Sequence, residues 1–389
     1  MIVMIGRFLV NKIAVIYLGR MGGGPVYAYE MTRGLIENGN DVSVFISKRV
    51  ENLSSWMSLK SSSLELIDTF SSAKSYLINT LKFRKEQYRV LKTKYEAQAF
   101  DACYIPMGSF WDDMFVDICG NPQLIVTIHD PIWHSSDRNF LEYLKIYLPK
   151  LLLVGIKHKR PDDIIVLSRA FREVTSQKKR IDIEHVHVIP HGVFDFYKTV
   201  DSGKTYSYAV GKTNFLFLGR ICGYKGIDIL AEAYKMLKDK YKDISLTIVG
   251  SGDFSLYCDL YDRQDDVDVI NKWIPDDEMA SYFKSKERII LVLPYKDGTQ
   301  SGVISTAMSF GVPIIATNTG GLSEQIEDRV TGYLCEPNNP EDLFRCMEEV
   351  MLTDTREIEK NEIKHVHTLD WTNLSRKLGE IIDHEVVNV

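Results

Sequence analysis

The sequence predicts an α/β protein built from two doubly wound parallel-sheet domains that face a central cleft. Three observations predict it. The chain has 389 residues, more than one ordinary core accommodates, so two domains of roughly 150–200 residues each are expected. Short runs rich in Val and Ile alternate with segments of helical period, the pattern of β-α units feeding a parallel sheet. That series occurs twice, on either side of residues 193–214, whose Gly, Ser, Thr, Lys and Tyr show little periodicity and read as a linker.

In the first series, IAVIYLG (residues 13–19) reads as a buried strand, a glycine loop follows, and Ala28, Met31 and Leu35 mark one face of a helix that Asn38-Gly39 stops. DVSVFI, ACYIP, LIVTIHD and IIVLS supply further strands, and the series ends near VIPHG (residues 188–192). The second series opens with NFLFLG. Leu230, Ala233 and Leu237 mark its first helix face, and LTIVG, DVDVINKW, IILVLP and VPIIAT are its next strands. Asn339-Pro340-Glu341-Asp342 reads as a helix start: an Asn cap, proline at the first helical position and acids in the first turn. A last helix from about Asp370 carries Trp371, Leu374 and Leu378. The expected division is residues 1–195 and 205–366 for the two domains, with 367–389 as a helix packing back across them.

The net charge of -6 is unevenly spread: residues 1–200 carry 26 Lys+Arg against 21 Asp+Glu, and the remainder 21 against 32. A relatively basic front half suits an anionic surface, whereas nucleic acid is a poor fit because no strongly basic domain or binding motif accompanies the bias. No stretch reaches the ~18 apolar residues of a membrane span. The apolar start, residues 1–10, is interrupted by Arg7 and lacks a small-residue cleavage site. A cytoplasmic location is expected. The six cysteines (Cys103, Cys119, Cys222, Cys258, Cys335 and Cys346) form no C-x-x-C pair and read as reduced thiols packed as small apolar groups. Two segments are basic and apolar together: residues 81–95, with six Lys/Arg and one Glu, and residues 143–160. Each reads either as an ordinary helix with a solvated basic face or as peripheral contact with anionic lipid headgroups on the inner face of a membrane.

Three loops fall directly after strands, where open α/β sheets bind ligands. The first holds Gly22, Gly23, Gly24 and Pro25. Glycines there let the backbone approach a ligand at a helix N-terminus, although a plain tight turn has the same signature; neither G-x-G-x-x-G nor a P-loop is present. The second is GRICGYKG, where Arg220 and Lys225 share one glycine-rich turn. Two fixed cations suit a diphosphate, the alternative being two solvated surface charges. The third is DGTQSGVISTAMSFGVP, with a helix starting near Gly302. Its amides from Ser301 to Ile304, those of Gly302 and Val303 among them, are placed to hold a phosphate, and Gln300 and Ser301 to hydrogen-bond sugar or phosphate oxygens; a capped helix without a ligand is the alternative.

Together these loops resemble the family-4 group of retaining glycosyltransferases, which have the GT-B fold of two Rossmann-like domains around a cleft. The resemblance is strongest from Phe215 to Glu336, in FLGRICGYKGIDIL, LTIVGSGD and QSGVISTAMSFGVPIIATNTGGLSE, and looser before it, in the glycine loop, TIHD, VLS and VIPHG. It implies that Arg220 and Lys225 ligate the donor diphosphate and that His129, in TIHD, lines the sugar site; a lone histidine would otherwise read as structural. Family members usually carry two glutamates eight residues apart at the third loop. This sequence has Gly298 and Thr306 there, with Asp297 adjoining the first position either as a substitute or as a loop cap.

The resemblance implies transfer from a nucleoside-diphosphate sugar to the hydroxyl of a glycan or lipid-linked glycan, in cell-surface glycan or polysaccharide biosynthesis, with no cofactor and with cationic side chains in place of a metal. No metal-ligand cluster stands out in the sequence. The donor is expected on the second domain and the acceptor on the first. Two rivals come from other classes: a catalytically silent GT-B subunit supporting an active partner, which the missing glutamates favour, and a nucleotide-sugar epimerase or phosphorylase of the same architecture.

Overall fold

The computed structural model describes residues 10–132, 156, 158–261 and 266–384. Most of the basic segment 143–160 lies outside them. The first sheet contains β1 (Lys12–Tyr17), β2 (Asp41–Ser47), β3 (Ser63–Ile67), β4 (Ala102–Ile105), β5 (Gln123–Ile128), β6 (Asp163–Val166) and β7 (Val186–Val188), in the order β3-β2-β1-β4-β5-β6-β7. The second contains β8 (Thr213–Leu218), β9 (Ile244–Gly250), β10 (Val267–Asn271), β11 (Ile289–Leu293), β12 (Ile314–Thr317) and β13 (Tyr333–Cys335), in the order β10-β9-β8-β11-β12-β13. Strand pairs in both sheets are parallel. These are the two Rossmann-like units of an α/β GT-B architecture.

Helices cover both faces of each sheet, so the central strands are apolar throughout rather than alternating. Ile13, Ala14, Val15 and Ile16 of β1 and Ile290, Leu291, Val292 and Leu293 of β11 are fully buried. The helix Gly23–Glu37 lays Ala28, Met31 and Leu35 on the first core, and Ile227–Lys240 lays Leu230, Ala233 and Leu237 on the second. Asn339 caps the helix Pro340–Leu352 by accepting from the Asp342 amide at 3.0 Å, and Asp370 caps Trp371–Ile382 by accepting from Thr372 and Asn373.

Three features differ from the sequence reading. Two strands were invisible in it: β3, an edge strand with the sequence SLELI and only partial burial, and the three-residue β13. Residues 193–214 are not a loose tether. Phe194, Phe196 and Tyr197 are buried in the first core and Tyr208 in the second. The thiols of Cys103, Cys119, Cys335 and Cys346 are buried, but Cys222 and Cys258 are not.

The helix Trp371–Ile382 returns to the first domain, where Trp371, Leu374, Leu378, Ile381 and Ile382 join Val26, Met31 and Leu35 in one core. The approach is close: a Cβ added at Gly34 would stand 2.6 Å from the Trp371 carbonyl oxygen.

One core residue opposes stability. Glu362, on the helix Arg356–Thr368, is fully buried, and neither of its carboxylate oxygens finds a hydrogen-bond donor among the described residues. Burial, reinforced by Glu359, pushes its pKa up from 4.5 to about 9. The folded state therefore holds a proton that the unfolded chain releases, so the penalty grows as pH rises from about 4.5 and is complete above about 9. Glu362→Gln keeps the shape and removes the titration. It is expected to gain ~2 kcal/mol, or roughly 4–8 °C in Tm, on the alkaline side and to flatten the stability profile across that window in pH-dependent thermal melts.

Candidate functional site

In each sheet the strand order reverses between a first strand and the strand beside it, β1/β4 and β8/β11, and the crevice outside such a reversal is where open α/β sheets accept ligands. The two crevices face each other. Between them lies a cleft of about 570 Å³, lined on one side by Met21, Gly22, Gly23 and Phe194 and on the other by Arg220, Lys225, Trp273, Gln300, Gly302 and Thr306. A smaller hollow of about 210 Å³ adjoins it, lined by Gly24, Met107, His129, Asp130, His191 and Thr299, and shares Gly23, Tyr224, Lys225, Gln300 and Gly302 with the cleft. A further hollow of about 420 Å³, lined by Lys212, Thr213, Ile244 and Arg288, sits at the amino ends of β8 and β9, away from all three glycine loops.

The turn after β8 is shaped by Gly226, which has φ +68° and lies so close to β11 that an added Cβ would fall 1.8 Å from the Pro294 carbonyl oxygen. The preceding residue, Lys225, stands against an aromatic wall. Its ammonium lies 3.5 Å from the Tyr295 ring centroid and 4.9 Å from that of Tyr224, and burial lowers its pKa from 10.5 to about 8. Arg220 donates from Nη2 to the Tyr224 hydroxyl at 3.1 Å. Both cations thus contact the aromatic wall and line the cleft.

The helix Gly302–Phe310 starts at the cleft, but fewer of its amides are available than the sequence implies. Ser301 N–H donates to Gln325 Oε1 at 2.8 Å and Ile304 N–H to the Ser301 carbonyl at 3.2 Å. Gly302 and Val303, both on the cleft lining, remain as first-turn amides without helical acceptors. The Ser301 hydroxyl is 3.2 Å from that of Tyr295. Gln300 reaches both hollows; its Nε2 is 3.4 Å from His129 Nδ1, and its buried Oε1 has no hydrogen-bond partner among the described residues.

His129 donates from Nε2 to the Pro106 carbonyl at 2.8 Å, which fixes Nδ1 as an acceptor toward Gln300. Burial lowers its pKa, so the ring is neutral. His191 donates from Nδ1 to the Gly192 carbonyl at 2.7 Å and is pushed down to about 4 by burial. Tyr27 packs against both rings, at 4.6 and 5.6 Å between centroids, and Trp371 packs beneath Tyr27 and His191.

Three contacts tie the walls together. Thr299 donates to the Asp130 carboxylate. The Glu324 carboxylate accepts the Arg169 and Ala170 amides at 2.7 Å each, and Trp273 Nε1 donates to Glu51 at 2.9 Å. Beside that last contact Asp276 is pushed up to about 7 by burial, by Glu51 and by Asp277.

The residues picked from the sequence therefore converge: His129, Arg220, Lys225, Gly22, Gly23, Gly24, Gln300, Ser301, Gly302, Val303 and Thr306 line one hollow or the other, and Asp297 lines neither. Gly298 has no room for a longer side chain without movement, since its added Cβ would meet Leu322 Cδ1 at 2.8 Å, and Thr306 donates its hydroxyl to the Gly302 carbonyl of its own helix. Sequence reasoning missed His191, Tyr224, Tyr295, Trp273 and Asp276. VIPHG and GYKG contained the first two, but nothing in spacing distinguished them from core aromatics. Among the described residues no cluster of three or more His, Cys, Asp or Glu side chains is placed to hold a metal ion.

Two family models match in series. The model for glycosyltransferase family 4 matches residues 21–194 and that for glycosyl transferases group 1 matches residues 207–365, so that between them they span most of the chain. An uncharacterised glycosyltransferase of Haemophilus influenzae is 33% identical over 132 residues, which is 33% of this chain and 37% of that protein. A D-inositol 3-phosphate glycosyltransferase of Arthrobacter sp. is 31% identical over 173 residues, 41% of this chain and 40% of that one. The chain thus spans well under half the length of these curated relatives. Solved structures align along nearly the whole chain: a Rickettsia africae glycosyltransferase (TM-score 0.65, 18% identity, 97% of this chain and 100% of that one), an Anabaena protein in complex with UDP and glucose (0.65, 16%, 95% and 99%) and a sucrose-phosphate synthase of Thermosynechococcus elongatus (0.67, 17%, 96% and 99%).

The packing of the β8 turn is testable without any ligand. Gly226→Ala, blocked by the Pro294 backbone just after β11, is expected to cost ~3 kcal/mol or more, whereas Gly223→Ala, with nothing within 4 Å of its added Cβ, is expected to cost under ~1 kcal/mol in denaturant unfolding.

Proposed function

The chain belongs to the family-4-like glycosyltransferases of the GT-B fold, and from that membership we propose that it moves a sugar from a nucleoside-diphosphate sugar to an acceptor hydroxyl with retention of anomeric configuration. The observation that carries this reading is the pairing of Arg220 and Lys225 on one turn, opposite the first-turn amides of Gly302 and Val303, at the same cleft. Cations and amides converging on one space suit a diphosphate. The structural neighbour from Anabaena, in complex with UDP and glucose, supports a donor of that class.

In the proposed reaction the anomeric C–O bond to the diphosphate breaks while the acceptor oxygen forms its bond on the same face. The acceptor proton passes to the departing phosphate oxygen, so no protein base is assigned. Charge grows on the leaving group, and Arg220, Lys225 and the helix start at Gly302 stabilise it, each well-placed donor contributing roughly 3–4 kcal/mol. His129, neutral and fixed in one tautomer, lines the sugar side and positions Gln300, whose unpartnered Oε1 accepts from a sugar hydroxyl. Cationic side chains take the part a divalent ion plays elsewhere. We place the reaction in cell-surface glycan or polysaccharide synthesis, the setting the family resemblance suggests.

One observation favours a second reading, a catalytically silent subunit: Gly298 and Thr306 stand where the family usually has glutamates. Sugar turnover by the isolated chain excludes it.

Thermal shifts with UDP, GDP, ADP, TDP and CMP, repeated on Lys225→Ala, test the donor site. A ligand at about a hundredfold excess over its Kd adds ~2.7 kcal/mol to stability, and one nucleotide is expected to give that shift in the native chain only. The absence of any shift in a folded sample overturns the reading. Because Lys225 is protonated below about 8 and neutral above it, affinity for that nucleotide is expected to fall as pH rises through about 8, a fall that Lys225→Ala lacks. Turnover of the variant is expected to drop ~100-fold or more.

A further inference from the structure

The helix Ala73–Glu86 has two apolar sides, and the fold uses one of them. Tyr76 and Phe83, at 5% and 4% exposure, sit in the first domain's core with Trp111 and Phe115. On the opposite side Leu77, Ile78 and Leu81 are 48%, 53% and 55% exposed. At 3.6 residues per turn these three share the outward surface with Lys74, Lys82 and Lys85, all exposed. Arg89 and Val90 are also exposed on the next helix, Tyr88–Glu96.

The cations of this region divide into two groups. Lys92 and Lys94 are spent on Asp117 and Glu65 in ion pairs, whereas Lys74, Lys82, Lys85 and Arg89 form no ion pair among the described residues. Two aromatic residues of the basic segment 81–95 point inward, Phe83 and Tyr95 being buried. The outward surface is instead aliphatic side chains interleaved with lysines, and its centre lies upstream of that window.

We propose that this outward face is a docking surface for an anionic lipid bilayer. Each lysine stem can lie along the aliphatic surface while its ammonium reaches the headgroup layer, the arrangement by which an amphipathic helix lies in a membrane interface. The helix has 14 residues, about 21 Å, too short to cross a bilayer, and among the described residues no helix is long and apolar enough to do so. The lone acid of the helix, Glu86, stands at its last position. The helix also follows β3, two strands from β1, so its amino end with Lys74, Leu77 and Ile78 lies on the side of the sheet that carries the glycine loop. A hydroxyl carried by a lipid would be held near that rim. Docking as such is independent of the sugar-transfer reading.

Flotation of the purified full chain with phosphatidylcholine vesicles, with and without phosphatidylserine, measures docking in the absence of any sugar substrate, so its failure and that of the transferase reading are separate results. Binding is expected only to the phosphatidylserine vesicles and is expected to weaken with salt. Each of Lys74→Ala, Lys82→Ala and Lys85→Ala is expected to lower the binding constant roughly fivefold. Leu77→Ser with Leu81→Ser is expected to abolish the part that survives high salt. Should any of these alanine variants not fold, the single exposed exchange Lys82→Glu carries the same comparison. Absence of vesicle binding by the folded native chain overturns the proposal, as does binding unchanged by the lysine exchanges. So does a dimer that Leu77→Ser dissociates in a chain that ignores vesicles, which would make the face a contact between copies.

Discussion

Parallel strands all end on the same side of a sheet, and in this protein two such sides are turned toward each other. Nearly every feature of the cleft depends on that constraint. Because the strands are parallel, the loops after β1, β8 and β11 emerge together; because the order reverses at β1/β4 and at β8/β11, helices leave in opposite directions at those points and a crevice opens between them. Glycines then become necessary where backbone meets backbone, as at Gly226 against Pro294, and helix starts become available where a charge is to be held.

The electrostatics of the cleft follow from its walls. Lys225 is set against the rings of Tyr295 and Tyr224, and Arg220 donates to the Tyr224 hydroxyl. The two histidines add no charge, since each is neutral and tied by one ring nitrogen to a backbone carbonyl, His191 buried and His129 partly so. The acids of the neighbourhood stand at the joints between the walls, where Asp130, Glu324 and Glu51 each accept from a group on the other domain. Those carboxylates are thus engaged at the joints of the cleft, whereas Lys225 and Arg220 stand on its lining.

The sequence revealed the fold well because the buried strands are unusually uniform: IAVIY, NFLFL and IILVL have no competing interpretation once helices of 3.6 period follow them. It failed at Ser63–Ile67 and Tyr333–Cys335, where an edge position relaxes the need for apolar residues or where three residues are too few to show a period. The site was legible where chemistry is concentrated in one turn, as with Arg220 and Lys225. It was illegible where a residue matters for the wall it forms: nothing in the sequence marked Tyr295 or Tyr224, and Trp273 stood at the end of the expected strand DVDVINKW. Ser301 shows the opposite error. Its amide looked available from helix position alone, but Gln325, 24 residues away, already occupies it.

The chain passes between the domains once after β7 and again before Trp371, and these two passages touch: Val193 N–H donates to the Leu369 carbonyl at 3.3 Å, and Trp371 Nε1 donates to the Val193 carbonyl at 2.6 Å. Two covalent crossings bonded side by side act as a single pivot. Relative motion of the domains is then rotation about that point, and displacement grows with the length of the lever arm measured from it. Any such rotation would displace a contact in proportion to its distance from Val193, so the aromatic floor of Tyr27, His191 and Trp371, which packs against the fulcrum, would be displaced least.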